Sequence, residues 1–304
     1  MKKPAMILTN EALHEYRASL IARNIEAIAL DMEADQGNIR YKYSISIIQI
    51  NDGEDTFIVD ALALGQGSAI KDLLTDARIK KIMFSCGNDL FLTQNVLGCT
   101  IFPIRDIACA QKILGQKNDL TQYLGIDKAE KDAFQRANWL KRPISPEMLK
   151  YAANDVAKLL TIERDLARLL IENGFYAKYI EECERLSTLE YKIDQIHSYL
   201  TKFPGYSRLN NNRKKMARAV WIFRELLGEK FDCPVGYLMS KSSMIAVTKS
   251  RDAVAAIACE LNKNRRDNKK LSTALIEKLY ERAVKMSEEK NNPADRRTIK
   301  PDTN

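Results

Sequence analysis

The chain has 304 residues, 45% hydrophobic and 29% charged, which is typical of globular proteins and excludes fibrous and low-complexity chains. No apolar run reaches the ~20 residues that cross a bilayer, and the apolar part of the N-terminus, up to Leu8, is too short for a signal peptide. We therefore expect a cytoplasmic protein with no membrane partner.

The cysteines and histidines limit the chemistry that the chain can perform. There are six cysteines, with no Cys-x-x-Cys pair, and two histidines, His14 and His197. Structural zinc sites need clustered Cys and His ligands, and a catalytic triad normally needs a histidine base, so neither is expected. Gly65-Gln66-Gly67 does not continue as a dinucleotide fingerprint, and no Gly-Lys-Ser/Thr loop occurs, so we expect no nucleotide cofactor. Carboxylates, tyrosine and bound metal remain as candidates.

Positive charge is concentrated in the last third of the chain. The net charge is +8, and residues 205–304 hold 22 basic and 12 acidic side chains, a net charge of +10. A basic end indicates a polyanionic partner. A solvated, lysine-rich helical surface is the alternative interpretation.

The first half of the chain alternates between strand and helix signals. An apolar run at Ile25–Leu30 and β-branched runs at Tyr43–Ile50 and Thr56–Val59 predict three strands, the last two joined by the hairpin residues Asn51-Asp52-Gly53. Two short strands are predicted next, at Lys81–Phe84 and Thr100–Ile104. Helices are predicted before, between and after them, at Ser68–Asp76 (with Ser68 as N-cap), Gly87–Leu97, Asp106–Leu114 and Asp119–Leu124. Ser145-Pro146 predicts the start of a helical segment that ends near Asn173-Gly174. This order predicts an α/β fold with a mixed sheet and flanking helices.

The second half shows helical patterns without strand signals. Tyr176–Leu200 predicts one long helix, Pro204-Gly205 breaks it, and residues 213–285 are again helical with an irregular piece at Phe231–Tyr237. Residues 287–304 have almost no apolar content, and we expect them to be disordered. The predicted domains are residues 1–174 (α/β), 175–204 (connecting helix), 205–286 (all-α) and 287–304 (tail).

Four carboxylates and one tyrosine stand at positions suited to metal-dependent chemistry. Asp31 and Glu33 end an apolar strand, where alternation places both on one face, and adjacent carboxylates repel unless a cation lies between them. Asp89 stands near the start of a helix, and Tyr151 and Asp155 are four residues apart on one helical face. Taken singly, these are also explained by a solvated strand end, a helix-start acid stabilised by the helix dipole and a Tyr–Asp surface pair.

Together these residues resemble the four-acid 3′–5′ exonuclease superfamily and, within it, the tyrosine branch that includes the ribonuclease D family. The third motif of that family is matched in order by Trp139, Arg142-Pro143-Ile144, Tyr151-Ala152, Asp155-Val156 and Leu159-Leu160. The first motif is matched by Ala29-Leu30-Asp31-Met32-Glu33 and Ile47-Ile48-Gln49-Ile50. The family's second motif usually begins with His where this chain has Phe84-Ser85, and Lys158 stands where the family often has Tyr. The resemblance covers roughly residues 25–170.

The resemblance implies a ribonuclease-H-like fold and a metal-dependent 3′–5′ exoribonuclease that acts on RNA 3′ ends, such as those of tRNA precursors or other structured RNA, and releases nucleoside 5′-monophosphates. On this basis we assign Asp31, Glu33, Asp89 and Asp155 as ligands of two Mg²⁺ or Mn²⁺ ions, which prefer oxygen ligands. We expect Tyr151 to orient the attacking water, because an unperturbed phenol has a pKa near 10 and is a poor base at neutral pH. We expect a monomer.

The same positions leave other functions open. One alternative is a 3′–5′ exodeoxyribonuclease that acts on single-stranded DNA in DNA repair. Another is a non-catalytic nucleic-acid-binding protein on this scaffold, although the complete set of four acids plus tyrosine argues against it.

Two further regions have open interpretations. Lys141 and Arg142 are candidates for contacts with substrate phosphates, and a solvated loop is an equally good explanation. We interpret Gln49 and Tyr43, on the strand after the first motif, as structural.

Residues 213–285 weakly resemble the helical HRDC domain shared by RecQ helicases and ribonuclease D, through Trp221, Arg224, Pro234–Met239 and a helix near Met244. This domain either holds nucleic acid near the active site or caps the fold.

Overall fold

The computed structural model contains two compact units. It describes residues 3–117, 119–120, 133–135, 137–191, 202–264 and 271–289. Within these residues, the first unit comprises residues 3–35 and 43–191, and the second comprises residues 36–42 and 202–289. No helix in the described parts of the chain is long and apolar enough to span a membrane.

The first unit is built on a mixed six-stranded sheet among its described residues. The strands are β1 (Ala5–Ile7), β2 (Ala27–Asp35), β3 (Ser44–Asn51), β4 (Thr56–Asp60), β5 (Lys80–Met83) and β6 (Ile104–Asp106). Their order is β1-β4-β3-β2-β5-β6. Strands β2, β3 and β4 pair antiparallel, and the remaining pairs are parallel. The mixed sheet agrees with the predicted fold class.

Helices cover both faces of this sheet. They are α1 (Asn10–Ala22), α2 (Ser68–Leu74), α3 (Gly87–Leu92), α4 (Ile107–Ile113), α5 (Pro146–Val156), α6 (Leu159–Glu172) and α7 (Tyr176–Thr188). Apolar side chains of α1, α2 and α3 pack on one face, against residues such as Leu30 and Ile48. The other face packs against α4, α6 and α7 near Ala29, and against α5 near Ile47.

Local sequence explains how helix α5 begins. The hydroxyl of Ser145 accepts a hydrogen bond from the Met148 N–H at 3.2 Å, and Pro146 occupies the first helical turn, where its missing N–H costs nothing. Tyr151, Ala152 and Val156 are buried on the face toward the sheet. Small alanines let this helix lie close to the strands.

Several predicted element bounds differ from the structure. Strand β1 and helix α1 precede every predicted element. Helix α2 is capped by Gly67 rather than Ser68, and the predicted helix Gly87–Leu97 changes to a π-helical turn at Thr93–Leu97. The helix predicted for Tyr176–Leu200 ends at Thr188, because Leu189 has an extended backbone. Most of the predicted helix Asp119–Leu124 lies outside the described residues.

All regular secondary structure in the described part of the second unit is helical, and residues 36–42 of this unit form neither helix nor strand. Its helices are α8 (Asn211–Phe231), α9 (Val235–Leu238), α10 (Lys241–Lys249), α11 (Ala253–Asn264) and α12 (Thr273–Glu289). Helix α8 forms the centre, where the guanidinium of Arg224 lies 4.1 Å from the centroid of the Trp221 ring and pairs with Glu225. Helix α12 ends three residues inside the predicted tail, and residues 290–304 lie outside the described part.

Candidate functional site

The candidate site begins on strand β2. Asp31 and Glu33 are two residues apart, so both side chains project from the same face of the sheet. Asp31 pairs with Gln49 of β3, and the register shifts immediately after Glu33. Such a bulge bends a strand and re-aims the side chains beside it. The two carboxylates therefore stand just before this irregularity in the β2–β3 ladder, on the face that α5 covers.

Asp155 brings a third carboxylate to the same place. It lies in the last turn of α5, and one carboxylate oxygen from each of Asp31, Glu33 and Asp155 lies within 4.8 Å of the others. All three side chains are half-buried. A strand and a helix that are distant in sequence thus present three acids to one small volume.

Asp89 is the third residue of α3 and is 6% exposed. Burial raises the pKa of its carboxyl well above the ordinary value, and the negative charge of Asp31 adds to the rise. The interaction with Asp31 shows that Asp89 borders the cluster. It is not part of the set of oxygens within 4.8 Å among the described residues.

The electrostatics of the cluster are unfavourable without a cation. Burial is the largest cause of a pKa of Glu33 well above its ordinary value. The charges of Asp31, Asp155 and Asp89 raise the Glu33 pKa further, in that order. A divalent cation would reverse this repulsion, and a donor set made only of carboxylate oxygens suits Mg²⁺ or Mn²⁺. The residues present therefore fit such a metal site.

Tyr151 stands beside the carboxylates. Its hydroxyl donates a hydrogen bond to the carboxylate of Asp155, and burial, with the negative charges of the cluster, raises its pKa. The ring stacks on Phe134 with centroids 4.7 Å apart and lies 6.4 Å from Trp139. The phenol thus keeps its proton at neutral pH, and its ring is fixed by aromatic neighbours.

Arg142 and Lys141 occupy different environments. The guanidinium of Arg142 donates two hydrogen bonds to Asp60, at 2.8 and 2.9 Å, and others to Ser46 and the Trp139 carbonyl. Because its donors are directed to the protein itself, this geometry favours the structural interpretation of Arg142. Lys141 is exposed, and its contact with phosphate stays a prediction.

Gln49 and Asp106 are polar residues near the site for which the sequence predicts no functional role. Gln49 is fully buried opposite Asp31, and neither polar atom of its amide has a hydrogen-bond partner among the described residues. The signal that could have drawn attention to Gln49 is the register of β2 and β3, which pairs Gln49 with Asp31. Asp106 is 2% exposed at the end of β6, and no sequence signal links it to the cluster.

Comparison with known proteins identifies relatives of this chain. The model of the 3′–5′ exonuclease family matches residues 4–171. Ribonuclease D of Haemophilus influenzae is 27% identical over 239 residues, covering 76% of this chain and 59% of that protein. Ribonuclease D of Escherichia coli K12 is 32% identical over 191 residues, covering 59% and 48%. The chain spans about half the length of these curated relatives. The resemblance to ribonuclease D predicted from the motifs is confirmed.

Two solved structures share the fold. The catalytic core of RRP6 from Trypanosoma brucei superposes with a TM-score of 0.75 at 21% identity, covering 94% of this chain and 82% of that one. Escherichia coli RNase D superposes with a TM-score of 0.71 at 22% identity, covering 100% and 79%. These similarities confirm the predicted fold class, a mixed sheet with flanking helices followed by an all-α region.

Proposed function

The chain belongs to the 3′–5′ exonuclease family, and on that premise we propose that it is a metal-dependent exoribonuclease. It hydrolyses phosphodiester bonds at RNA 3′ ends and releases nucleoside 5′-monophosphates. The observation that carries this proposal is the convergence of Asp31, Glu33 and Asp155, whose carboxylate oxygens lie within 4.8 Å of one another. Such a cluster is suited to binding cations, and phosphodiester hydrolysis is a reaction that paired cations catalyse.

The acids have separate roles in this proposal. Asp31, Glu33 and Asp155 would hold one divalent cation, and Asp31 and Asp89 would provide carboxylates for a second. When bound, two cations stabilise the charge that develops on the leaving oxygen and lower the pKa of water. The protein's contribution is to fix the carboxylates on a strand and two helices, so that little reorganisation is needed when substrate binds.

Tyr151 orients the attacking water. Its hydroxyl proton is directed to Asp155, which leaves the phenol oxygen able to accept a hydrogen bond. Because its pKa is raised, the phenol stays protonated at neutral pH and does not act as the base. Its stacking on Phe134 holds the oxygen in one place.

The substrate we propose is the 3′ end of structured RNA, such as a tRNA precursor. Curated relatives are named Ribonuclease D, and the similar Escherichia coli RNase D is described as an exoribonuclease involved in structured RNA processing. The net charge of +10 in residues 205–304 favours a polyanionic partner. The exposed Lys141 is a candidate phosphate contact.

We further propose that residues 205–286 form an HRDC-like domain that holds RNA for the exonuclease domain, residues 1–174, with residues 175–204 as the connection. The helical second unit and its positive charge support this arrangement. We also propose that the protein acts as a monomer in the cytoplasm.

The experiment that tests this function incubates the full chain with 5′-labelled single-stranded RNA or DNA of matched sequence, in Mg²⁺ or in chelator. The expected result is a ladder with one-nucleotide steps on RNA that chelator abolishes. A ladder on DNA alone would support the exodeoxyribonuclease alternative, and binding without shortening would support the non-catalytic one. Glu33→Gln protein purified in parallel excludes a contaminating nuclease, because it should produce no ladder.

A further inference from the structure

Asp106 joins two loops on the sheet that carries the candidate site. It is the last residue of β6 and the N-cap of α4, where its Oδ1 accepts the Ala108 N–H at 2.8 Å. The same carboxylate also accepts the backbone N–H groups of Ser85 and Cys86, each at 2.9 Å. One buried side chain therefore caps its own helix and fastens the turn between β5 and α3.

That turn is in a conformation that needs support. Ser85 has φ +57°, in the left-handed region that is unfavourable for a residue with a Cβ. Cys86 is the N-cap of α3, and its side chain makes no capping hydrogen bond. The two hydrogen bonds to Asp106 offset the cost of the turn, and one of them satisfies the Cys86 N–H, a buried donor that would otherwise have no partner.

The turn determines where Asp89 lies. Helix α3 begins at Gly87, directly after the turn, and Asp89 is its third residue. Because α3 has only six residues before the π-helical turn, its direction depends strongly on how its first residues are held. A shift of the Ser85–Cys86 turn would therefore move the Asp89 carboxylate relative to Asp31.

We propose that Asp106 is a positioning residue for cation binding: it fixes the Ser85–Cys86 turn and thereby keeps Asp89 in place to complete a two-cation site. The proposal rests on the proposed function, because it needs Asp89 to be a ligand. Asp106 itself is not a ligand in this account, since its carboxylate oxygens are occupied by backbone N–H groups.

The test uses Asp106→Ser in the full chain. A serine still caps α4, but its shorter side chain does not reach both Ser85 and Cys86. Asp106→Asn is the second variant, because it keeps the volume and the cap while replacing one acceptor oxygen with a donor. The matched control is Asp76→Ser, which removes another buried acid, 6% exposed, that accepts hydrogen bonds from Arg17 and Arg78 before the start of β5.

The measurement is calorimetric titration with Mn²⁺ in the absence of RNA, together with thermal unfolding in chelator. We expect wild type to bind two ions, and each Asp106 variant to bind the second ion about 10- to 100-fold more weakly, the range typical when a residue that supports a metal ligand is lost. Asp89→Asn should show the same pattern. Asp76→Ser should lower the melting temperature without changing Mn²⁺ binding.

Two-ion binding of wild-type affinity in either Asp106 variant would overturn the proposal, and so would an equal loss of binding in Asp76→Ser. The results also distinguish an error in the role of Asp106 from an error in the proposed function. If wild type itself binds no Mn²⁺ and shortens no RNA, the function is wrong. If wild type binds two ions and shortens RNA while the Asp106 variants match it, only the role of Asp106 is wrong.

Discussion

The hydroxyl of Tyr151 donates a hydrogen bond to the carboxylate of Asp155, one turn later on helix α5. This contact joins the phenol to the carboxylate cluster. The Phe134 ring stacks on the Tyr151 ring, and the two ring centroids are 4.7 Å apart. A change of Tyr151 to phenylalanine therefore removes the hydrogen bond to Asp155 and keeps the ring that stacks on Phe134.

We predict that Tyr151→Phe lowers turnover about 100-fold, the size of effect expected when one hydrogen bond to a reacting group is lost. The ring and its stacking remain, so Mn²⁺ affinity should change little. Single-turnover rates on 5′-labelled RNA and calorimetric titration with Mn²⁺ measure the two effects separately. Full activity in Tyr151→Phe would exclude a role for the phenol in orienting water.

We predict that Glu33→Gln stabilises the protein in chelator at pH 7.5. Unfolded glutamate has a pKa near 4.3, whereas the folded protein holds the Glu33 pKa well above its ordinary value. At a pH between the unfolded and the folded pKa of Glu33, the folded state binds more protons than the unfolded state, so the free energy of unfolding decreases as the pH rises. Above the folded pKa, the charged Glu33 destabilises the folded state by its full amount. Glutamine carries no charge and avoids that penalty.

Thermal unfolding between pH 5 and pH 8 measures this effect. In chelator, the melting temperature of Glu33→Gln should exceed that of wild type at the upper end and fall less steeply with pH. Mg²⁺ should stabilise wild type more than the variant. The exposed Glu15→Gln on α1 is the matched control. A variant less stable than wild type at pH 7.5 in chelator contradicts the repulsion argument.

Sequence patterns placed the candidate residues on their elements because alternation and helical spacing are local. They predicted that Asp31 and Glu33 share a face and that Tyr151 and Asp155 share another, although the catalytic roles of these residues stay predictions. The end of α7 at Thr188 was not predictable from the chain locally. It depends on contacts such as those of the Gln94 side chain with the backbone of Leu189 and Tyr191.

Arg142 shows the same limit. A basic residue in a loop is compatible with either phosphate binding or solvent, and sequence alone does not distinguish them. The structure pairs it with Asp60, at the end of a strand far away in the chain. The pairing explains how the loop after Trp139 is held against the sheet, and only tertiary contacts reveal it.

We predict that Gln49→Met raises the free energy of unfolding in chelator by about 1–3 kcal/mol, the cost of a buried polar group without a partner. Gln49 is fully buried, and its amide atoms lack hydrogen-bond partners among the described residues. Methionine has a similar volume and no such cost. Urea denaturation measures the change, with Gln116→Met on the exposed surface as control. A loss of stability would show that the amide is used within the fold.

We predict that reversing two exposed charges at the start of α8, in an Arg213→Glu/Lys215→Glu variant, weakens RNA binding and its salt dependence. Each single-strand phosphate contact contributes about 0.7 to the slope of log K against log salt, so the slope should decrease by about 1.4. Fluorescence anisotropy in chelator measures binding without hydrolysis. The control reverses the exposed Lys112 and Lys178 of the first unit. An unchanged slope would support the helical-cap interpretation.

The most direct test of the central claim, that the acid cluster holds the cations that hydrolysis requires, is the initial rate of Asp155→Asn on 5′-labelled RNA at saturating Mg²⁺. The change keeps the side-chain shape and removes one of the three charges within 4.8 Å. We expect a loss of roughly 10³-fold or more, because bound metal contributes several kcal/mol to the transition state, while the exposed Asp165→Asn on α6 keeps the wild-type rate. A wild-type rate in Asp155→Asn would contradict the assignment of the site.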